Sequence, residues 1–149
     1  MIDFLLNEAG SNVVIRDSSV LLNMEFINRK DLDILPKVVD KLVSTEDIDT
    51  AIVYGIKDEV VYIVGRSVVN GELRDIINTH FSNLGKVKET NGFTLAMVPL
   101  GIAVMLSREN LLRLVDDIMI KVFFPGKTPG FSTAFDRLNE IKQLVTTQV

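Results

Sequence analysis

Apolar positions along the chain fall into two rhythms, one of three to four residues and one of two. From Asp31 to Thr45, the residues Ile34, Leu35, Val38, Val39, Leu42 and Val43 recur at the spacing of one helix face, with Pro36 tolerable only in a first turn. After Asn70, a good N-cap, Leu73, Ile76, Ile77, His80, Phe81 and Leu84 keep the same spacing until Gly85 offers a C-cap. Ser107 can cap a third helix whose apolar face holds Leu111, Leu114, Val115, Ile118, Met119 and Val122. A fourth, from about Ala134 to Val145, uses Phe135, Leu138, Ile141 and Val145, with Thr133 and Asp136 resembling a capping box.

Between these stretches the chain turns β-branched. "NVVIRDSSVLLNMEF" reads as two short β-rich runs around a turn at Asp17-Ser18-Ser19, either a hairpin or a strand with an exposed edge. "TAIVYGI" and "VVYIVGRS" read as antiparallel strands joined by the charged turn Lys57-Asp58-Glu59, and their near-continuous apolarity predicts a sheet covered on both faces. "KVKET", the turn Asn91-Gly92, "FTLAMVPL" and "IAVML" predict further strands, interrupted at Pro99-Leu100-Gly101. "FFPGKTPGFST" is a loop. The mixed order of strands and helices predicts an α/β (α+β) fold, a single domain over residues 1–149 with a mixed sheet flanked by helices.

Composition changes this picture little. A chain of 149 residues, 47% hydrophobic and 24% charged, is an ordinary globular domain and not a disordered one. The absence of cysteine and the single histidine remove disulfides, thiolate nucleophiles and the usual zinc sites, and point to a cytoplasmic protein. No apolar run approaches a membrane span, and a net charge of −4 argues against broad electrostatic capture of nucleic acid.

Most candidate chemistry reads as structural. His80 lies on the apolar stripe of its helix with no ligand-spaced partner, so it is expected to be a partly buried packing residue. Gly126-Lys127-Thr128 lacks the upstream glycine of a phosphate-binding loop, Lys121 standing at that position. Asp116 and Asp117, adjacent on a helix, point about 100° apart and are expected on a solvated face. What remains is the end of the second apolar strand, Gly65-Arg66-Ser67. A guanidinium beside a hydroxyl, at the start of a helix, suits a phosphate. A surface arginine closing a strand is the plainer alternative.

At these residues the sequence begins to resemble a family. "INRKDLDILPKVVDKLVSTEDIDTAIVYGIKDEVVYIVGRS", then "ELRDIINTHFSNLG" and "GFTLAMVPLGI", look like the small C-terminal substrate-binding domain of the DHH phosphoesterase superfamily, which includes RecJ-type exonucleases, short-oligonucleotide phosphodiesterases and exopolyphosphatases. The likeness covers roughly residues 27–124, leaving a helical extension at 131–147. Its most specific points are Asn28-Arg29, Gly65-Arg66-Ser67 and "AMVPLG" from Ala96 to Gly101.

The resemblance implies substrate-contacting positions at Gly65, Arg66 and Ser67. The family's glycine-rich loop ending in histidine is replaced by "GKVKETNGFTLA", where Gly92 stands for a surviving glycine and Lys86 and Lys88 are available to attract an anion. It implies no cofactor in this chain, since a divalent metal such as manganese belongs to a separate catalytic domain, and one histidine cannot build a two-metal site.

Two functions follow as expectations. The chain by itself is a non-catalytic domain that binds phosphate-bearing ligands such as a nucleotide, a single-stranded nucleic acid end or polyphosphate. Alternatively its site has decayed and it is an interaction or homodimerisation module. A variant of the first pairs it with a DHH catalytic domain carried elsewhere, as the substrate-binding half of a phosphodiesterase. No membrane partner is expected.

Overall fold

The computed structural model describes residues 13–45, 47–69 and 71–125. Strands β1 (Val13–Arg16) and β2 (Ser19–Phe26) form the expected hairpin, turning on Asp17 at φ 54°. A short α1 (Arg29–Leu32) and α2 (Leu35–Val43) follow in place of the single helix read from Asp31 to Thr45. Pro36 in the first turn of α2 lacks the N–H that a helix interior uses, so the helix restarts there. β3 (Thr50–Lys57) returns parallel to β2, and β4 (Val60–Ser67) pairs antiparallel with β3 through a turn at Asp58 and Glu59.

α3 (Glu72–Phe81) leads to β5 (Lys86–Thr90) and β6 (Phe93–Pro99), a hairpin that inserts β6 against β4 and leaves β5 at the edge. The six strands run in the order β1-β2-β3-β4-β6-β5. A 3₁₀ helix at Gly101–Met105 precedes α4 (Arg108–Phe123), capped by Ser107, whose Oγ accepts the Asn110 N–H at 3.3 Å. The observed α/β architecture is the fold class that the mixed order of elements predicts.

Helices cover both faces of the sheet, and strand alternation divides the core in two. On one face α2, through Leu35, Val38, Val39 and Leu42, packs on Ala51, Val53 and Val64. On the other, α3 and α4, through Leu73, Ile77, Phe81, Val115 and Met119, pack on Ile52, Tyr54, Ile63 and Ala96. β3 is buried along Ala51 to Ile56, as its unbroken apolar run requires.

Several local expectations are corrected. "IAVML" is not a strand: Gly101 at φ +60° turns the chain after Pro99, and Ala103 N–H bonds Leu100 O at 3.2 Å. α3 ends at Phe81, with Ser82 and not Gly85 as its C-cap. Gly85 is needed for a different reason, since a Cβ there would overlap the Met97 carbonyl. The residue preceding α3 is Gly71, without a side-chain cap, while Asn70 lies outside the described residues. His80 is exposed, because Leu73, Ile77 and Phe81 set the inward phase of α3. In α4 the buried face is Leu111, Val115, Met119, Ile120 and Phe123, leaving Leu114 and Ile118 exposed. The buried face shares Leu111, Val115 and Met119 with the expected stripe but is rotated toward Ile120 and Phe123, because α4 is apolar over more than half its circumference. The expected loop beyond Pro125 and the helix from Ala134 to Val145 lie outside the described residues.

Candidate functional site

Gly65, Arg66 and Ser67 do not converge. Successive residues of a strand face opposite sides, so β4 sends Arg66 to the α2 side and Gly65 and Ser67 to the α3 side. Gly65 is packing: a Cβ there would stand 3.0 Å from Leu73 Cδ2. The joint phosphate grip expected of Arg66, Ser67 and the start of α3 is therefore corrected by the period of the strand itself.

Arg66 is held on its own face. Its Nη1 donates to Asp40 Oδ1 of α2 at 2.7 Å, and its guanidinium carbon lies 5.3 Å from the centroid of the Phe93 ring. The arginine side chain remains 34% exposed and the aspartate 58% exposed, so the pair is solvated and competition by another anion is inexpensive. Gly92 sits beside it in the β5–β6 turn. Asn91 and Gly92 both have positive φ, 51° and 84°, as a two-residue hairpin turn of the mirror-image type requires. A Cβ on Gly92 would stand 3.9 Å from Arg66 Nε, an ordinary contact, so it is the positive φ and not lack of space that calls for glycine beside the guanidinium.

Lys86 and Lys88 share that face. The register pairs Lys86 with Met97 and Lys88 with Leu95, and those in turn face Tyr62 and Val64 across β4. The intervening Glu89 points the other way and meets Arg74 of α3, Oε1 to Nε 3.3 Å. Two residues apart on a strand, the lysines stand roughly 7 Å from one another along β5. Among the described residues α2 lies over β3 and β4 and no helix lies over this face of β6 and β5, where Tyr62, Phe93, Leu95 and Met97 are only half-buried and both lysines exposed. The result is a shelf of apolar and aromatic side chains edged by three cations, Arg66, Lys86 and Lys88.

Ser67 belongs to a different network. Its Oγ lies 2.9 Å from Thr50 Oγ1, which donates to Asp49 Oδ1 at 3.0 Å, and Asp49 Oδ2 accepts the Ser18 hydroxyl at 2.7 Å. These groups tie the ends of β2, β3 and β4 together.

A further polar cluster lies between α4 and the sheet. Asp116, expected on a solvated face, is drawn into the interface between α4 and the sheet, where Oδ1 accepts from Tyr54 Oη at 2.6 Å and Asn23 Nδ2 at 2.6 Å. Asn23 and Tyr54 are both buried. Burial raises the Asp116 carboxyl above the ordinary carboxylate range, opposed by the hydrogen bonds from Tyr54 and Asn23 and reinforced by Asp117 and Glu25. Burial, and then the Asp116 charge, push the Tyr54 phenol well above its usual value. The available signal was the asparagine within the otherwise apolar run of β2: a buried amide needs a partner, and the partner had to come from the helix above. This cluster fixes α4 on the sheet and offers no nucleophile.

Among the described residues no group of three or more histidines, cysteines or carboxylates is arranged to hold a metal ion. No helix among them is long and apolar enough to cross a membrane.

The fold is similar to that of an exopolyphosphatase-related protein from Bacteroides fragilis, known from a crystal structure, with a TM-score of 0.50 and 12% sequence identity over 79% of this chain and 34% of that one. The chain thus spans about a third of that protein's length. No protein-family profile matches the sequence, and no curated protein matches it.

Proposed function

We propose that this chain is a non-catalytic binding domain for phosphate-bearing ligands, a nucleotide, a single-stranded nucleic acid end or polyphosphate, and that the ligand lies on the open shelf over β6 and β5. The observation that carries the reading is the Arg66 side chain at the end of β4, 34% exposed, its guanidinium over the Phe93 ring and on the same face as Lys86 and Lys88. An arginine offers planar paired donors to a phosphate, the lysines add point charges, and the half-buried aromatic surface suits whatever apolar group the phosphate carries. The resemblance at Asn28-Arg29, Gly65-Arg66-Ser67 and Ala96 to Gly101 to the substrate-binding domain of DHH phosphoesterases supports it, as does the fold shared with an exopolyphosphatase-related protein. On this reading Ser67 is not a ligand contact. Hydrolysis, where it occurs, requires a metal-bearing catalytic domain outside this chain, and divalent metal belongs there.

Thermal shift with tripolyphosphate, ATP and a short oligothymidylate tests the proposal. At least one should raise the melting temperature of the wild type. Arg66→Ala should weaken that ligand at least about tenfold, the scale of one charge-assisted hydrogen bond. No stabilisation by any of the three, or equal stabilisation of Arg66→Ala, overturns it.

The second reading, an interaction or homodimerisation module, is favoured by a specific feature: Ile102 and Met105 of the 3₁₀ helix are 88% and 82% exposed. It predicts concentration-dependent association, abolished by Ile102→Asp/Met105→Asp. A monomer across the micromolar range with no co-purifying protein counts against it.

A further inference from the structure

A cavity of about 400 Å³ lies on the side of the sheet opposite Arg66, where the first residues of β2 and β3 and the last of β4 meet the start of α3 and the end of α4. That volume is within the range of small-molecule sites, roughly 300–1,000 Å³. Its inner wall is apolar, formed by Ile52, Leu73 and Phe123. Its mouth is polar. Among the described residues it carries the carboxylates of Asp17 and Asp49 and the guanidinium of Arg16, with Glu72, which has a partner of its own, at the start of α3.

Arg16 already has occupations: Nη1 donates to the Pro125 carbonyl at 3.1 Å, and its guanidinium carbon lies 5.8 Å from the Phe124 ring centroid. Asp49 is held in place by the hydroxyls of Ser18 and Thr50, one on each oxygen, with Ser67 continuing the chain through Thr50. An ionised carboxylate has about four acceptor positions, so each Asp49 oxygen retains capacity for another donor. The cavity therefore pairs a rigid, prepositioned anionic acceptor, Asp49, with an apolar wall, and a second carboxylate, Asp17, lines it as well.

We propose that this cavity binds an organic ammonium: a small molecule whose protonated amine bonds to Asp49 and whose short apolar or aromatic body lies against Ile52, Leu73 and Phe123. The site is separate from the shelf carrying Arg66, because the sheet stands between them, and it selects the opposite charge. A phosphate-bearing ligand would meet the carboxylates of Asp17 and Asp49 there. The two faces of one sheet thus serve two ligands of different chemistry, and neither proposal depends on the other.

Amide NMR titration of the full-length chain at low ionic strength, where charge effects are least screened, tests this with phenethylamine against 3-phenylpropionate and 2-phenylethanol as anionic and neutral counterparts. The amine should bind saturably, shifting the amides of Thr50, Ser67 and Val69, at least about tenfold more tightly than either counterpart. Asp49→Asn should weaken it about tenfold. Val69→Trp, at a lining position that is 62% exposed and so tolerant of a larger side chain, should block it, while Arg66→Ala leaves it unchanged. Absence of saturable amine binding to the wild type, equal binding of the three probes, amine binding unaffected by Asp49→Asn, or amine binding unaffected by Val69→Trp each overturns the assignment.

Discussion

Arg66 Nη1 stands 2.7 Å from Asp40 Oδ1, so the anion nearest the proposed ligand-holding guanidinium is one that the chain supplies itself. On the proposed function a bound phosphate would take the place of that carboxylate. An exposed pair of this kind contributes about 0.2–1 kcal/mol, which converts to no more than about fivefold in competition. Asp40→Asn should therefore raise affinity for a phosphate-bearing ligand up to about fivefold with little change in stability. Isothermal titration of the two proteins with the same ligand measures this, and equal affinities would separate Asp40 from the site.

Ser67 and Arg66 should part company in mutational tests despite being neighbours. Ser67→Ala removes the Thr50 partner and should cost about 1 kcal/mol in denaturant unfolding. Binding of a phosphate-bearing ligand should be unchanged. A loss of binding comparable to that of Arg66→Ala would mean that both side chains reach the same ligand, contrary to the alternation of β4.

Stability should depend on pH through Asp116. Its pKa is raised in the fold, so the native state holds that proton more tightly than the unfolded chain, whose carboxyl titrates near about 3.9. The favourable contribution is present in full below that value and is lost as pH rises through the raised native one. Tyr54→Phe deletes a donor to the charged form and should cost about 1–3 kcal/mol at neutral pH, and less at pH 4, where the carboxyl is more often protonated. Chemical denaturation at the two pH values checks the difference. Equal losses would show that the hydroxyl's contribution does not depend on the charge of Asp116.

The β3–β4 turn carries a correctable strain. Asp58 and Glu59 both occupy the left-handed region, at φ 48° and 67°, where residues with a Cβ are disfavoured. The neighbouring β5–β6 hairpin meets the same requirement with Asn91-Gly92. Asp58→Asn/Glu59→Gly should thus stabilise the protein by about 1 kcal/mol, seen as a higher denaturant midpoint at unchanged slope. A lower midpoint would mean that the acidic side chains contribute more than the backbone strain costs.

Sequence alone determined the fold class and most of the elements. β-branched apolar runs between punctuating turns marked β1 to β6, and three- to four-residue spacing marked α2 to α4, because both signals arise from which side of a local backbone is buried, whereas "IAVML" is apolar without being a strand. Where several phases were compatible with burial, as in α4, the choice was made only by contact with the sheet. The candidate site was legible as residue types and not as a place. Arg66, Gly92, Lys86 and Lys88 come to one face by strand register, while Ser67, one residue from Arg66, goes to the other. The partners of Arg66 and Asp116 were beyond local reading, since Asp40 and Asn23 lie 26 and 93 positions away in the chain. Periodicity reports which residues turn inward; which of them meet is decided by how helices dock on a sheet, and that is a property of long-range packing that no local spacing encodes.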